Sequence, residues 1–209
     1  MKVIPARPFA LGIDTVVHLS ADKCASLAAH GMSFAVRYLP SLTVEEVATI
    51  TGWGLGLMGC AYSRKEGWVP SKELGALDGT ATVRQALALG FPQGATLWLD
   101  LEGCAGPAWA TAAWVDEWAM LVRNAGYIAG LYVGANPGGL NSASLWELHV
   151  QRYWHSCSQV PNVDRCGYCM VQLSPPNTKV GDVHVDVDVI QQDYLERLPT
   201  WVVSDEVAA

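Results

Sequence analysis

The chain has 209 residues, of which 51% are hydrophobic, and this is enough to form one sizeable core. Its 13 basic and 20 acidic residues give a formal charge of -7, and no run of Lys or Arg forms a basic patch, which argues against nucleic acid as a partner. Residues 1–9 lack the apolar segment of a signal peptide, and no stretch of about 18 apolar residues predicts a membrane span.

Strand and helix signals alternate along the chain. The helix signals are a start at Ser20, a capping box formed by Thr43 and Glu46, a stretch over residues 80–89 and a long helix over residues 107–125. The predicted strands cover residues 10–17, 33–39, 55–62, 95–101, 127–133, 149–153, 168–173 and 183–190. This alternation predicts a parallel sheet with helices outside it.

The second half of the chain is less regular. The segment between Tyr153 and Gly167 is too short and polar for a full helix, and residues 174–177 predict a loop. We therefore predict one α/β domain over residues 1–209, with a core at about residues 10–201, folded as a (β/α)8 barrel of the TIM type. Its C-terminal half should be irregular, with reduced outer helices.

Two acids share one face of the predicted strand at residues 95–101. Because strand side chains alternate, Asp100 and Glu102 project to the same side. A single carboxylate at a strand end is often a cap or an ion-pair partner, but two side by side resist joint ionisation. One then keeps its proton beside an ionised neighbour, which is the arrangement that glycosidases use.

Further acids lie on the first and last predicted strands. Asp186 and Asp188 share one face of the last strand, and Asp14 interrupts a short apolar run near the N-terminus. A strand with one face in water is the simpler interpretation of the last strand. A closed barrel, however, makes the first and last strands neighbours and gathers functional side chains at the C-terminal ends of its strands. We therefore expect these acids to meet Asp100 and Glu102 in one cleft.

Arg37 and three aromatic residues are further candidates for the cleft. Arg37 either points into the barrel or lies among the outer helices; we favour pairing with Asp14 or an acid of the last strand, because a buried arginine without a partner is costly. Tyr62, Trp68 and Tyr132 lie near strand ends or in a loop, where sugar rings can stack on them. Plain packing is the alternative for each.

Six cysteines leave several possibilities open. His155, Cys157, Cys166 and Cys169 are the ligand types of a zinc site, but a strand at Cys169 would separate its sulfur from that of Cys166. We favour free thiols over a disulfide at Cys157 or a zinc site.

The chain resembles the glycoside-hydrolase-like family known as domain of unknown function 1906, a relative of glycoside hydrolase family 25, the lysozymes of the Chalaropsis type. The resemblance covers roughly Leu11 to Trp201. It rests on five short motifs in order, namely Gly12-Ile13-Asp14, Phe34-Ala35-Val36-Arg37-Tyr38-Leu39, Leu99-Asp100-Leu101-Glu102, Gly130-Leu131-Tyr132 and Val185-Asp186-Val187-Asp188.

The resemblance implies a barrel, irregular in its later part, with an acidic cleft that in the lysozymes cleaves the linkage from muramic acid to glucosamine in peptidoglycan. By position, it implies Glu102 as the general acid, Asp100 as its partner, and Asp14 and Asp186 as supporting carboxylates. Asp188 stands where the lysozymes more often carry Asn.

The chemistry of the pair leaves the stereochemical outcome open. Same-face neighbours on a strand are about 6.6 Å apart, while carboxyl groups lie about 5 to 5.5 Å apart in retaining glycosidases and about 6.5 to 9.5 Å apart in inverting ones. If the substrate carries an N-acetyl group, its carbonyl can act as the nucleophile, oriented by Asp100. Glu102 is expected to hold the proton for the leaving oxygen, because glutamate has the higher intrinsic pKa.

The leading functional hypothesis is a cell-wall glycosidase, such as a phage lysin or a toxin delivered between bacteria. Its substrate would be peptidoglycan, and we expect a monomer that needs neither a cofactor nor a metal. Without a signal peptide, it would be made in the cytoplasm and delivered to the periplasm or the exterior by a route other than Sec. The predicted catalytic residues are Glu102, Asp100, Asp14 and Asp186, and the predicted substrate-binding residues are Arg37, Tyr62, Trp68, Tyr132 and Asp188.

Two other classes of function are considered. A metal-dependent hydrolase would use Asp14, His184, Asp186 and Asp188 as ligands. A non-catalytic barrel would bind glycan fragments without turning them over.

Overall fold

The computed structural model describes residues 1–61 and 64–206 of the chain. In these ranges the strands are β1 (Lys2–Pro5), β2 (Leu11–Thr15), β3 (Phe34–Tyr38), β4 (Gly56–Cys60), β5 (Thr96–Leu101), β6 (Ile128–Val133), β7 (Arg152–His155), β8 (Met170–Gln172), β9 (Thr178–Val180), β10 (Val183–Ile190) and β11 (Thr200–Val203). The α-helices there are α1 (Ala21–Ala29), α2 (Val44–Gly52), α3 (Lys72–Ala88), α4 (Ala108–Asn124) and α5 (Ser142–Glu147).

Eight of these strands close into a barrel. Strands β2 to β8 lie side by side in chain order, and β10 pairs with both β8 and β2 to complete the circle. All eight predicted strands are present, and the predicted barrel is confirmed. The strand boundaries differ most at β7, which begins three residues later than the sequence predicts.

The last barrel strand, β10, runs antiparallel to its neighbours, whereas β2 to β8 are parallel to one another. The prediction of a parallel sheet is therefore wrong at this strand. A parallel crossover needs about a dozen residues or more, usually with a helix. Residues 173–182 instead form a loop and the short strand β9, which pairs with β10 as a hairpin.

Two short strands that the sequence did not predict close the other end of the barrel. Strand β1 pairs with β11, and β11 pairs with β4 near the start of that strand. The Trp201 ring stacks on Phe34 at 5.5 Å, and the backbone N–H of Thr200 donates to Thr96 Oγ1 at 2.9 Å. This packing leaves the C-terminal ends of the parallel strands as the open end of the barrel.

Helix α3 is longer than predicted because of its packing against α4. Its sequence contains two glycines, which lower helix propensity. A Cβ atom at Gly75 would lie 2.4 Å from the carbonyl oxygen of Trp114, and one at Gly79 would lie 2.8 Å from Leu121 Cδ1. The glycines therefore let the two helices approach closely, and the side chain of Ser71 caps the start by accepting from the N–H of Leu74.

The later part of the described chain is poor in helix, as predicted, since α5 has only six residues. None of the helices in the described ranges is long and apolar enough to cross a membrane.

The predicted pairing of Arg37 with Asp14 or an acid of the last strand is wrong. Arg37 has the parity of Ala35 on β3 and therefore points outward, towards α2. Its Nε donates to Glu46 Oε1 at 2.8 Å, and its Nη1 donates to the carbonyl oxygen of Thr15. Both members of the pair are buried, with side chains 1% and 0% exposed. Burial raises the pKa of Glu46, but the hydrogen bonds it accepts, chiefly from Arg37, outweigh that effect and lower the pKa.

We predict that Glu46→Gln lowers the free energy of unfolding by about 3 kcal/mol or more, because it leaves the Arg37 charge buried without its counter-charge. Urea denaturation at pH 7 measures this loss. Glu117→Gln is the control, since it breaks an ion pair that is 3.5 Å long and whose cation, Lys72, is 68% exposed. That change should cost less than about 1 kcal/mol. Equal losses in the two variants would contradict the prediction.

Candidate active site

Acids from both ends and the middle of the chain meet at the open end of the barrel. Asp14 lies near the end of β2 and Asp100 near the end of β5. Glu102 is the first residue after β5. Asp186 comes from β10, where it is the cross-strand partner of Asp14. Charge repulsion from both Asp186 and Glu102 reaches Asp14. The four predicted catalytic residues are therefore brought together in space.

Two shallow pockets at the open end are lined by predicted catalytic acids. One, of about 370 Å³, is lined by Asp14 and Asp186 among others. The other, of about 250 Å³, is lined by Glu102 together with Arg64 and Glu66. A third groove of about 670 Å³ lies on the surface of α4, where no acid of the cleft contributes to its wall. A further pocket of about 400 Å³ beside Gly103 and Asn136 is lined by Glu66 but by none of the four predicted catalytic acids.

Glu102 and Asp100 have contrasting surroundings. Glu102 is exposed, and its Oε1 accepts from the N–H of Ala135 at 3.2 Å. A Cβ atom at Gly134 would lie 2.6 Å from Glu102 Cβ, so glycine there leaves room for the glutamate. Asp100 is only 4% exposed, and its Oδ2 accepts from Tyr38 OH at 3.2 Å. Within the described part of the chain, Asp100 Oδ1 has no hydrogen-bond partner.

Asp100 has a strongly raised pKa. Burial is the largest cause, and the negative charges of Glu102 and Asp14 add to it, so the pKa reaches about 7 in spite of the hydrogen bond from Tyr38. The sequence predicts the retained proton on Glu102, whereas the structure raises the pKa of Asp100, because Asp100 is the buried member of the pair. Asp100 is therefore the member of the pair that holds a proton up to about pH 7.

Gln172 connects Asp14 to Asp186. Its Nε2 donates to Asp14 Oδ2 at 2.9 Å and to Asp186 Oδ2 at 3.3 Å. Burial raises the pKa of Asp14 to about 7; the Gln172 hydrogen bond opposes this, and the charge of Asp186 adds to it. Asp186 is only half-buried, and its Oδ1 accepts from the N–H of Asn177.

Asp188, predicted to bind substrate, is fully buried and does not reach the surface of the cleft. Its Oδ1 accepts from Trp154 Nε1 at 2.9 Å, while no described residue donates to its Oδ2. Burial and the charge of Asp14 raise the pKa of Asp188 well above its ordinary value, and the neutral acid donates to Asp14. A protonated aspartate has one donor and one acceptor, as asparagine has on the same atoms.

The aromatic candidates have structural contacts of their own. Tyr132 is 8% exposed and forms part of the floor of the cleft, where its OH donates to Gln172 Oε1 at 3.2 Å. Trp68 is half-buried, and its Nε1 donates to the backbone carbonyl of Glu102 at 2.8 Å, which holds the segment carrying that acid. Tyr62 lies outside the described residues.

The cysteines and metal candidates do not form a second centre. All six cysteines fall within the described ranges and are free thiols, with Cys157 partly exposed and the others buried. No group of three or more His, Cys, Asp or Glu in the described part of the chain is arranged to hold a metal ion. Neither the zinc site nor the metal-dependent hydrolase gains support from this geometry.

Three residues of the site, Tyr38, Gln172 and Trp154, were missed by the sequence analysis. Tyr38 and Gln172 lie at the C-terminal ends of β3 and β8, on the inward-facing parity of each strand. That combination of parity and position could have identified both. Trp154 was missed because the predicted strand at residues 149–153 ends one residue before it, whereas β7 includes it.

We predict that Asp188→Asn raises the free energy of unfolding at pH 7 by about 1 kcal/mol or more. The stability that comes from a raised carboxyl pKa is fully present below the unfolded pKa of about 4 and is lost as pH rises through the folded pKa. Asparagine keeps the bond from Trp154 and a donor towards Asp14 without this loss.

Urea denaturation from pH 4 to pH 8 measures the effect, and the advantage of Asp188→Asn should shrink towards pH 4. Asp182→Asn, at an exposed position in the turn between β9 and β10, is the control and should show no such trend. An advantage that grows as pH falls would contradict the assignment of a proton to Asp188.

Comparison with known proteins places the chain among glycoside-hydrolase-like domains. Residues 19–162, which include Asp100 and Glu102, match the family described as Rv2525c-like, glycoside hydrolase-like domain. No curated protein is similar enough in sequence to count as a match.

Solved structures share the fold at low sequence identity. An uncharacterized protein from B. stearothermophilus is 18% identical with a TM-score of 0.69, and the alignment covers 90% of this chain and 99% of that one. A family 25 glycosyl hydrolase from Bacillus anthracis is 12% identical with a TM-score of 0.59, covering 87% and 88%. The modular autolysin LytC from Streptococcus pneumoniae, in complex with a synthetic peptidoglycan ligand, is 10% identical with a TM-score of 0.57, covering 86% and 46%.

The predicted relation to the family 25 enzymes is thus confirmed at the level of the fold. Since the match over residues 19–162 spans more than half of the sequence, the chain belongs to the Rv2525c-like, glycoside hydrolase-like domain family.

Proposed function

We propose that this protein is a glycosidase that cleaves a glycosidic bond of bacterial peptidoglycan, as muramidases do, by carboxylate acid–base catalysis. The observation that carries the proposal is the pairing of an exposed Glu102 with a buried Asp100 whose pKa is raised to about 7. Glycosidases need two carboxyl groups in unlike surroundings, so that one gives a proton while the other stays ionised. The barrel shared with a family 25 hydrolase and with LytC supports peptidoglycan as the substrate.

Glu102 is assigned as the general acid because it is the member of the pair that can reach the substrate. A general acid must approach the leaving oxygen to hydrogen-bond distance. Glu102 is exposed in the pocket that also contains Arg64 and Glu66, whereas Asp100 is 4% exposed. The N–H of Ala135 occupies Oε1, which leaves Oε2 as the oxygen that takes the proton of the pair when Asp100 ionises on substrate binding.

Asp100 is assigned to the acetamido group of the sugar. In its ionised form, the buried and unpartnered Oδ1 can accept the N–H of that group, while Tyr38 OH holds Oδ2. The acetamido carbonyl then attacks the anomeric carbon as the bond to the leaving oxygen breaks and Glu102 protonates that oxygen. Water opens the cyclic intermediate, and Glu102 takes back a proton as the general base.

Asp14 and Asp186 are assigned an electrostatic role. Positive charge develops at the anomeric centre in an oxocarbenium-like transition state. Both carboxylates lie at the open end of the barrel, and their cross-strand pairing and the hydrogen bonds of Gln172 fix them before substrate arrives. Fixed charges of this kind stabilise a transition state without reorganisation during the reaction.

Since peptidoglycan lies outside the cytoplasmic membrane, we expect the protein to act in the periplasm or outside the cell.

We predict that Glu102→Gln lowers turnover of isolated peptidoglycan by about 100-fold or more while binding is largely kept, because the transferable proton is lost but the shape is retained. Mass spectrometry of the released fragments measures turnover and identifies the sugar at the new reducing end. Thermal unfolding should show no loss of stability, since the substitution removes a charge from an acidic cluster.

Glu196→Gln is the matched control, since Glu196 is exposed on the loop between β10 and β11. This variant should digest peptidoglycan at the wild-type rate. If the wild-type protein and Glu102→Gln bind glycan fragments equally and neither releases products, the chain is a non-catalytic carbohydrate-binding barrel and the glycosidase proposal is wrong.

We predict a bell-shaped pH profile of kcat/KM centred near pH 7. The rate falls at higher pH because Asp100, with its raised pKa, loses the proton that the acid pair needs, and it falls at lower pH because Asp14, whose pKa is also about 7, becomes neutral. The measurement is the rate of digestion of peptidoglycan fragments between pH 5 and pH 9, with protein stability followed over the same range. A rate that stays constant or increases from pH 7 to pH 9 would contradict the proposed protonation states.

A further inference from the structure

The side chain of Gln172 makes more hydrogen bonds within the cleft than Tyr38, Tyr132 or Trp154. It is the last residue of β8, it is only 6% exposed, and both ends of its amide group are occupied. Its Oε1 accepts from Tyr132 OH at 3.2 Å and from the backbone N–H of Cys157 at 3.2 Å. Its Nε2 donates to Asp14 and to Asp186.

The chemistry of these partners fixes the orientation of the amide. A backbone N–H is a donor only, so the oxygen of the Gln172 amide must face Cys157. Burial raises the pKa of Tyr132 far above its ordinary value, so its phenol also stays a donor. The NH2 group therefore faces the acids, and each of its two hydrogens meets one carboxylate.

Asp14 and Asp186 are directly opposite each other on adjacent antiparallel strands, so their charges repel. A lysine or arginine between them would relieve the repulsion but would also cancel the negative charge that the cleft presents. A neutral amide with two donors holds both carboxylates and leaves their charges in place.

We propose that Gln172 is a positioning residue of the cleft, which holds the carboxylates of Asp14 and Asp186 at a fixed separation through the two hydrogens of its amide nitrogen. The part of this inference that concerns turnover rests on the proposed glycosidase function. The part that concerns the acids themselves is independent of any substrate.

The surroundings of Asp14 explain why the hydrogen bond from Gln172 matters. Burial and repulsion raise the pKa of Asp14, and the Gln172 hydrogen bond is the largest influence that lowers it. The acids, phenols and thiols around Asp14 are Asp186 and Asp188 on β10, Tyr38 on β3, Cys60 on β4, Asp100 and Glu102 on and after β5, Tyr132 on β6 and Cys157 after β7. His184 on β10 is exposed and lines the same pocket as Asp14 and Asp186. Apart from His184, none of the groups named here can carry a positive charge.

Carboxyl NMR titration of the substrate-free protein tests the positioning directly. Gln172→Met removes both donors, and Gln172→Glu keeps the shape and the acceptor oxygen for Tyr132 and Cys157 but replaces the NH2 group. The measured pKa of Asp14 should rise in Gln172→Met and rise further in Gln172→Glu, which adds a negative charge. An unchanged pKa of Asp14 in both variants would overturn the inference, even if the wild-type protein is an active glycosidase.

Digestion of peptidoglycan fragments supplies the second readout. Both variants should lower kcat by about 10-fold to 100-fold with little change in KM, because misplaced carboxylates lose stabilisation of the transition state rather than of bound substrate. Gln191→Met is the matched control, since the side chain of Gln191, just beyond the end of β10, makes one hydrogen bond, to the carbonyl of Tyr168. It should leave kcat and the pKa of Asp14 unchanged.

The outcomes separate the two proposals. If the wild-type protein does not cleave the fragments, the glycosidase proposal fails, whereas a raised pKa of Asp14 still supports the role of Gln172. If Gln172→Met is too unstable to titrate, Gln172→Glu decides, because it keeps the bonds that anchor the amide oxygen. Loss of activity in Gln172→Glu with normal pKa values would show a merely structural role and would overturn the inference.

Discussion

Closure of the barrel by β10 against β2 is the constraint on which the rest of the site depends. It sets Asp14 and Asp186 opposite each other and places Asp188 one step deeper, so that acids from opposite ends of the chain share a small, largely buried volume. Burial and mutual repulsion both disfavour ionisation there, which is why the pKa values of Asp14 and Asp100 rise to about 7. The charges of the cleft therefore change within the physiological range of pH.

The protein stabilises this cluster with neutral donors. Gln172, Tyr38 and Trp154 each donate to one or two of the acids, while Arg37, the buried cation on β3, is turned outward to Glu46. Neutral donors satisfy carboxylate oxygens without cancelling the charge of those acids that are ionised, and the proposed glycosidase reaction would use that charge at its oxocarbenium-like transition state.

The interior of the barrel changes from apolar to polar along its axis. At the closed end, Phe34 and Trp201 stack in an apolar cluster, and strands β1 and β11 cover it. At the open end, the same inward-facing rows of side chains finish in Tyr38, Asp100 and Gln172. One set of strand parities thus supplies both a packed core that fixes the strands and a polar rim that is held in place by that core.

The sequence by itself determined the eight barrel strands, the shared face of Asp100 and Glu102, and the meeting of both chain ends at one cleft, because strand periodicity and barrel closure are expressed in local patterns. It did not determine the direction of β10, the outward course of Arg37 or the central place of Gln172. The direction of β10 depends on a hairpin that replaces a crossover helix, and the partner of Arg37 depends on which layer its face of β3 meets. Only the tertiary structure decided which member of the acid pair is buried, and burial is what raised the pKa of Asp100 while Glu102 stayed exposed.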